Sequence, residues 1–471
     1  MLTQIKFGTS GWRAIVAEEF TCENVRRAST GIARFISSRN PAGKVVVGRD
    51  PRFMGEVFCN IASDALSAHG VTPLVIAEPA PTPAISYAVT HEFADGSINI
   101  TASHNPPEYN GIKFSTADGA PALPEFTQAV EAEIIAADAV AQSAQGTVSS
   151  AKRAPAQSLD PREMYLSRLR EIVDFTAIKK AGLKVVFDPF WGAGRGYSDD
   201  LLREAGVSVA SVHDYRDVLF GGHAPEPDDH LLGDLRAKMK ETGANIGIAT
   251  DGDADRFGIV DEDGTYFQPN FIIAFLFDYL VESRGWKNGV AKSVATTNLV
   301  NSLAKYHDIE LHETPVGFKY IGELIKADKI VLGGEESAGL SIRHHVAEKD
   351  GIVAGLLMCE MVAVRRKSLS QQLSDLFVKV GSLYPQRDNF RLTAQVKEKF
   401  TSKLGVDPHD FCGRKVKQIV RKDGLKLLFD DGSWVCYRLS GTEPVVRVYS
   451  EACTQSDLKK LSEAAQQWIF D

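Results

Sequence analysis

Short apolar runs alternate with amphipathic helical stretches along most of this chain, and the runs end in loops dense in glycine, proline and charge. Strand patterns stand at 44–48, 71–76, 184–187, 207–212, 245–250, 290–295 and 329–332. Between them lie helical patterns at 21–38, 54–69, 84–90, 124–140, 162–181, 232–242, 270–284 and 299–307, with two more at 352–367 and 370–380. This alternation predicts α/β layers built on mixed, mainly parallel sheets. Near residue 384 the grammar changes to a strand at 389–393, a helix at 394–404 and three close strand runs at 416–421, 424–429 and 433–438, before a closing helix at 456–470. Asp430-Asp431-Gly432 is a hairpin signal, so the last part reads as a smaller α+β unit. A length of 471 residues suits three or four domains. A Ser/Ala/Gln/Gly-rich linker at 142–159 places the first boundary near 150, and the expected segments are 1–150, 151–256, 257–380 and 381–471.

Composition narrows the class. A formal net charge of −8 gives no global basic field for nucleic acid. No apolar run reaches the ~18 residues of a membrane span, and the N-terminus lacks the apolar core of a signal peptide. The six cysteines form no C-x-x-C pair and read as reduced thiols, so a cytoplasmic protein is expected.

The chemistry sits in the loops. Ser97 to Ile100 reads as a strand, and Asn105-Pro106-Pro107 stops any further regular structure. Asn110-Gly111 is a turn dipeptide, and Ile112-Lys113-Phe114 reads as the return strand. Ser103 is therefore displayed on a tight loop with Lys113 coming back beside it, which suits a nucleophile or a phosphorylated residue. A capping serine in a proline-rich turn is the plainer alternative.

The strand at 245–250 delivers Asp251-Gly252-Asp253-Ala254-Asp255-Arg256, and three alternate carboxylates at a strand end can converge on one hard cation. A calcium-loop pattern would put Glu262 at position 12, but it fails at position 6, where Arg256 replaces the needed glycine. The loop Gly192-Ala193-Gly194-Arg195-Gly196-Tyr197 lacks the last glycine of a dinucleotide fingerprint and reads as a strand-to-helix turn. Gly8 and Gly11 make a bend that leads to Arg13. Gly333 to Gly339 reads as a glycine loop whose carboxylate and hydroxyl groups suit sugar hydroxyls or make a plain polar turn. Arg438-Leu439-Ser440-Gly441-Thr442-Glu443-Pro444-Val445-Val446-Arg447 combines arginines, hydroxyls and a glycine in the manner of a phosphate nest.

Thr-Ala-Ser-His-Asn-Pro-Pro-x-Tyr-Asn-Gly-Ile-Lys at 101–113 resembles the active-site loop of the α-D-phosphohexomutases, the phosphoglucomutase/phosphomannomutase family. Asp-Gly-Asp-x-Asp-Arg at 251–256, Thr-Pro-x-Gly-Phe-Lys at 314–319, Gly-Glu-Glu-Ser at 334–337, Glu-Lys-Asp-Gly at 348–351 and the 438–447 segment resemble its other motifs, in the same order. The resemblance implies three similar mixed α/β domains and a smaller C-terminal domain around a central cleft. It implies a phosphoserine-loop domain, a metal-binding domain, a sugar-recognition domain and a phosphate-binding domain, in that order. The implied catalytic residues are Ser103, as phosphoserine, with Lys113, His104 and Arg13. Mg²⁺ would be held by Asp251, Asp253, Asp255 and Ser103. Substrate would be held by Arg256, Lys319, Glu335, Ser337, Lys349, Arg438, Ser440, Gly441, Thr442 and Arg447.

The implied reaction interconverts glucose 1-phosphate and glucose 6-phosphate through glucose 1,6-bisphosphate, which serves as intermediate and activator. Three carboxylates and one Mg²⁺ sum to −1, and a phosphoserine adds about −1.5 to −2. Further cations are needed, and Arg13, Lys113 and Arg256 supply them. Lys113 is the expected general base, its pKa lowered by neighbouring cations. His104 is expected to orient the loop. The expected partners are small hexose phosphates, with no nucleic acid and no membrane, and the chain is expected as a monomer or homodimer. Tyr109 stands where phosphoglucosamine mutases usually carry aspartate, and Gly339 where dual phosphomannomutase/phosphoglucomutase enzymes often carry histidine. Both favour glucose phosphate, with phosphomannomutase or dual activity as the alternative and phosphoglucosamine mutase further off. A non-catalytic sugar-phosphate sensor would show a broken motif, and none is broken. A metal-dependent phosphatase would release phosphate without isomer exchange, and a calcium module would show no turnover.

Overall fold

A computed structural model describes residues 3–8, 10–143, 153–439 and 444–470. The chain divides into two units that it visits more than once. The first comprises Met1–Gln268, Gly317–Asp328 and Ser337–Ser368, and the second Pro269–Val316, Lys329–Glu336 and Leu369–Asp471.

In the first unit, a six-stranded sheet runs in the order Trp12–Ile15, Tyr109–Thr116, Gly96–Ile100, Lys44–Arg49, Thr72–Val75, Gln157–Ser158. Period-two alternation buries it on both faces. Val45 and Val47 pack with the helices Cys22–Arg39, Gly55–Ala68 and Pro124–Ser143, whereas Val46 faces Ile85 and Val89 of the helix Thr82–His91. Gly31 lets two of these helices meet, since a Cβ there would lie 3.0 Å from the Val130 carbonyl oxygen. The central strands Lys44–Arg49 and Gly96–Ile100 are parallel, and Tyr109–Thr116 returns antiparallel beside the latter. A second sheet has the order Tyr266–Phe267, Phe257–Asp261, Ile246–Thr250, Lys184–Asp188, Ser208–Ser211. The apolar helix Gly351–Arg365 packs on Ile246–Thr250 and Phe257–Asp261.

In the second unit, parallel strands Leu311–Thr314, Gly289–Ser293 and Ile330–Glu335 lie side by side in that order. An antiparallel sheet follows in the order Tyr384–Arg391, Val445–Ala452, Trp434–Leu439, Leu425–Phe429, Arg414–Val420, Asp410–Phe411, and the helix Gln455–Phe470 packs on Val445–Ala452. Glu451 is fully buried in this unit. Its carboxylate accepts the Trp434 indole N–H at 2.7 Å, the Asn298 backbone N–H at 2.8 Å and the Thr297 hydroxyl.

Two local expectations need correction, and one helix was not expected. The helix expected over 162–181 is two, Arg162–Ile172 and Phe175–Ala181, because Asp174 accepts the Ala177 N–H at 2.9 Å and caps the second. Arg13 follows the expected bend, on the strand Trp12–Ile15 opposite Gly111. The strand Ile330–Glu335 runs through Gly333 and Gly334 into Glu335, so Glu335 is on a strand end and not in a loop. The helix Phe318–Lys326 went unforeseen, although Phe318, Ile321, Gly322 and Ile325 form a short helical stripe. Among the described residues, no helix is long and apolar enough to cross a membrane.

Replacing Glu451 by alanine orphans three buried donors. Glu451→Ala is expected to destabilise the second unit by about 3–5 kcal/mol, and Glu451→Gln by less. Urea unfolding followed by the fluorescence of Trp434 and Trp468 measures both.

Candidate active site

Ser103 lies just beyond the strand Gly96–Ile100 in a left-handed backbone conformation, with φ at +53°. A serine rarely adopts this geometry without surrounding contacts that impose it. Its N–H donates to Thr101 Oγ1 at 2.9 Å, and its carbonyl accepts from Arg52 Nη2 at 2.7 Å. The side chain is fully buried, and its hydroxyl donates to Asp251 Oδ2 at 2.8 Å. Gly252 permits this approach, since a Cβ there would fall 2.6 Å from the Ser103 carbonyl oxygen.

Asp251, Asp253 and Asp255 follow the strand Ile246–Thr250 and are all fully buried. One oxygen from each lies within 4.8 Å of the others. Asp253 Oδ2 accepts from Thr82 Oγ1 and Lys113 Nζ, both at 2.5 Å. Asp255 Oδ2 accepts from Lys113 Nζ and Lys349 Nζ, both at 2.6 Å. The Oδ1 atoms of Asp253 and Asp255 are buried with no hydrogen-bond partner. Burial and the charges of Asp253 and Asp255 push the Asp251 carboxyl well above its ordinary range. Burial also disfavours charge on Asp255, but Lys113, Lys349 and Arg256 outweigh it and hold Asp255 well below that range. A cluster of oxygen donors with two unpaired buried lone-pair sets suits a hard divalent cation.

Arg13, His104, Arg256 and Lys349 complete this part of the first unit. Arg13 Nη1 donates to Asn105 Oδ1 at 2.7 Å. Arg256 donates its backbone N–H to Asp251 Oδ1 at 3.0 Å and its guanidinium to Glu226 at 2.9 Å. His104 Nδ1 lies 3.4 Å from Ser103 Oγ. Burial, then Arg256 and Arg13, lower the imidazole well below its usual value and keep it neutral at pH 7.

The expectation for Lys113 is corrected. Burial does act to lower its pKa, but Asp253, Asp255 and Glu348 outweigh burial and hold the ammonium above the ordinary lysine range. Its nearest neighbours are the carboxylates of Asp253 and Asp255 and not cations, so the lowering expected from neighbouring cations is not found.

The other expected residues are placed separately. Ser337 and half-buried Lys319 lie in the first unit, and burial lowers the Lys319 pKa. Glu335, Arg438 and Arg447 lie in the second. There Arg438 and Arg447 face each other across adjacent antiparallel strands, and Arg438 pairs with Asp423 at 2.8 Å. Ser440, Gly441 and Thr442 lie outside the described residues.

Known proteins match this chain domain by domain and over most of its length. Four models of phosphoglucomutase/phosphomannomutase domains match in chain order: α/β/α domain I at 4–141, domain II at 163–264, domain III at 268–380 and the C-terminal domain at 389–466. A phosphoglucomutase/phosphomannomutase of Thermococcus kodakarensis is 31% identical over 97% of this chain and 96% of its own. The chain belongs to the phosphoglucomutase/phosphomannomutase family. Members of this family are mutases, intramolecular phosphotransferases acting on sugar phosphates. A phosphoglucomutase of Komagataeibacter xylinus is 28% identical over 99% of this chain and 91% of its own. A solved Thermus thermophilus structure, of a protein suggested to be a phosphomannomutase, is 32% identical with a TM-score of 0.85 and all of both chains covered.

Sequence reasoning passed over three residues that hydrogen-bond to the Ser103 and aspartate loops. Arg52 and Asp50 stand in Arg49-Asp50-Pro51-Arg52, a charged cluster just past an apolar strand, which was the available signal. Thr82 carried none, because its role depends on a helix start meeting Asp253 from a distant loop. Its backbone N–H donates to the Asp253 carbonyl at 2.9 Å, and Asn99 Nδ2 donates to its hydroxyl at 2.8 Å.

This chain fixes Asp253 Oδ2 and leaves Oδ1 for a cation. Thr82→Val is expected to weaken divalent-cation affinity by about 10–100-fold, and Thr82→Ser to restore most of it. Isothermal titration of Mg²⁺ or Mn²⁺ into the apo-protein reads the difference without turnover.

Proposed function

We propose that this chain interconverts glucose 1-phosphate and glucose 6-phosphate, with Ser103 as phosphoryl carrier and glucose 1,6-bisphosphate as intermediate. The observation that carries the proposal is the buried Ser103 hydroxyl, held 2.8 Å from a carboxylate of a triaspartate cluster on a left-handed residue. Asp251, Asp253 and Asp255 would hold the divalent cation, Mg²⁺ by the hardness of the donors, and the cation would draw charge from the phosphoryl group.

The chain's own residues supply the rest. Ser103 presents the phosphoryl group, and Arg13, Arg256, Lys113 and Lys349 offset the negative charge gathered there. Lys113 contributes as an ammonium and the neutral His104 as a hydrogen-bonding partner near Oγ. Glu335, Ser337 and Lys319 are assigned to the sugar, and Arg438, Ser440, Gly441, Thr442 and Arg447 to the phosphate not in transit. Arg438 and Arg447 stand opposite each other on adjacent strands, and two guanidinium groups so placed suit a bidentate anion, which supports that assignment. The segments 1–150, 151–256, 257–380 and 381–471 are proposed to carry the phosphoserine loop, the metal, the sugar contacts and the second phosphate. Cys22, Cys59, Cys359, Cys436 and Cys453 stand as reduced thiols, which supports a cytoplasmic setting. We propose a monomer or homodimer.

The choice of glucose over mannose is supported by Gly339. A Cβ there would fall 2.4 Å from Lys349 Cδ, so a histidine would displace a lysine whose ammonium is tied to Asp255.

Ser103→Ala is expected to lower turnover of glucose 1-phosphate by at least about 10³-fold, and the parent should gain the mass of one phosphoryl group after exposure to glucose 1,6-bisphosphate. Activity within tenfold of the parent would remove the phosphoserine role. Chelation should stop turnover and Mg²⁺ restore it. In a side-by-side coupled assay, glucose 1-phosphate should turn over faster than mannose 1-phosphate.

A further inference from the structure

Arg52 has no exposed surface and touches none of the metal-cluster carboxylates through a hydrogen bond. Its Nε–H donates to Asp50 Oδ2 at 3.0 Å. Nη1 donates to the carbonyls of Pro106 at 2.8 Å and Tyr109 at 3.0 Å. Nη2 donates to the carbonyls of Ser103 at 2.7 Å and Asn105 at 2.6 Å. All five guanidinium N–H groups are thus used, four of them on one loop. The guanidinium also stacks on the Phe220 ring, 4.9 Å from its centroid.

Asp50 orients this fork and extends it. Its Oδ1 accepts the Arg52 backbone N–H at 3.0 Å, and its Oδ2 accepts the Thr101 hydroxyl at 2.6 Å. Thr101 Oγ1 in turn accepts the Ser103 N–H. The peptide groups on both sides of Ser103 are held from beneath, and Asn105, whose backbone Arg52 holds, carries the side chain that fixes Arg13. A planar fork can bind four carbonyls at once; an ammonium on a flexible stem has three donors and no such plane.

We propose that Arg52 is a positioning residue for phosphoryl transfer, fixing the left-handed turn that aims Ser103 Oγ, an assignment that rests on Ser103 as the phosphoryl carrier. Arg52 touches neither the sugar nor the reacting atoms, so its loss falls on kcat and not on substrate affinity. A misplacement on the order of 1 Å costs about 10²-fold in rate.

Arg52→Lys is expected to lower kcat about 10²-fold with KM within about threefold, and to speed hydrogen exchange at 101–113. In Arg52→Ala, added methylguanidinium should recover at least about tenfold of the lost kcat by refilling the cavity. A kcat within threefold of the parent in Arg52→Lys, unchanged exchange at 101–113, or no rescue by methylguanidinium would each overturn the proposal. Should neither variant fold, Asp50→Asn carries the same test, because it removes the carboxylate that orients the fork and leaves the four carbonyl contacts. An unchanged kcat there counts against it. If the parent itself converts no hexose phosphate, the carrier role of Ser103 fails, while exchange at 101–113 still decides whether Arg52 anchors the loop.

Discussion

Three carboxylates buried in one loop are the constraint on which the first unit depends. Isolated charges of one sign cannot be taken from water together without compensation. Lys113 and Lys349 provide it, at 2.5–2.6 Å from Asp253 and Asp255, and Arg256 adds its backbone N–H to Asp251. The lysines reach the cluster from far apart in the chain. Lys113 comes from the return strand Tyr109–Thr116, and Lys349 stands just before the helix Gly351–Arg365. That helix packs on the strands flanking the aspartate loop, so residues 337–368 belong with the first unit and not with the residues just before them. The return of 337–368 to the first unit brings Lys349 to Asp255.

Backbone geometry supplies the second half of the site. The strand Gly96–Ile100 aims the chain at the aspartate loop, but the strand alone leaves the next residues free. A left-handed Ser103, a glycine at 252 and the carbonyls gathered on Arg52 remove that freedom. The hydroxyl therefore meets Asp251 as part of the fold, before any ligand arrives. Preorganisation of this kind is what phosphoryl transfer asks of a protein, because the reaction needs placement and charge more than covalent help.

The second unit solves a different problem with similar means. Glu451, buried among Trp434, Thr297 and Asn298, joins the C-terminal sheet to the segment after Gly289–Ser293 through hydrogen bonds. Toward the other end of the same two strands, Arg438 and Arg447 are held opposite each other by the register. Rigid strands fix the spacing of that cationic pair.

Much of this was legible in the letters. Apolar runs gave away the central strands of both sheets of the first unit, because burial on two faces demands continuous Val/Ile stretches such as 45–47, but not the edge strands Trp12–Ile15 and Gln157–Ser158, the latter inside the expected linker. Asp251, Asp253 and Asp255 stood out because local spacing puts them together, and Ser103 because Asn105-Pro106-Pro107 permits only a tight turn. What the letters could not give was the company each group keeps. Lys113 looked like a base crowded by cations, yet its partners are Asp253 and Asp255, a pairing made across 140 and 142 residues. Thr82 and Arg52 drew no notice, since their meaning lies in donors meeting acceptors from other loops. Residue type and local period determined the strands, helices and reactive loops of this protein. Only the tertiary structure decided which charges neutralise which, because electrostatic and hydrogen-bond energies depend on distance in space, which sequence separation does not specify.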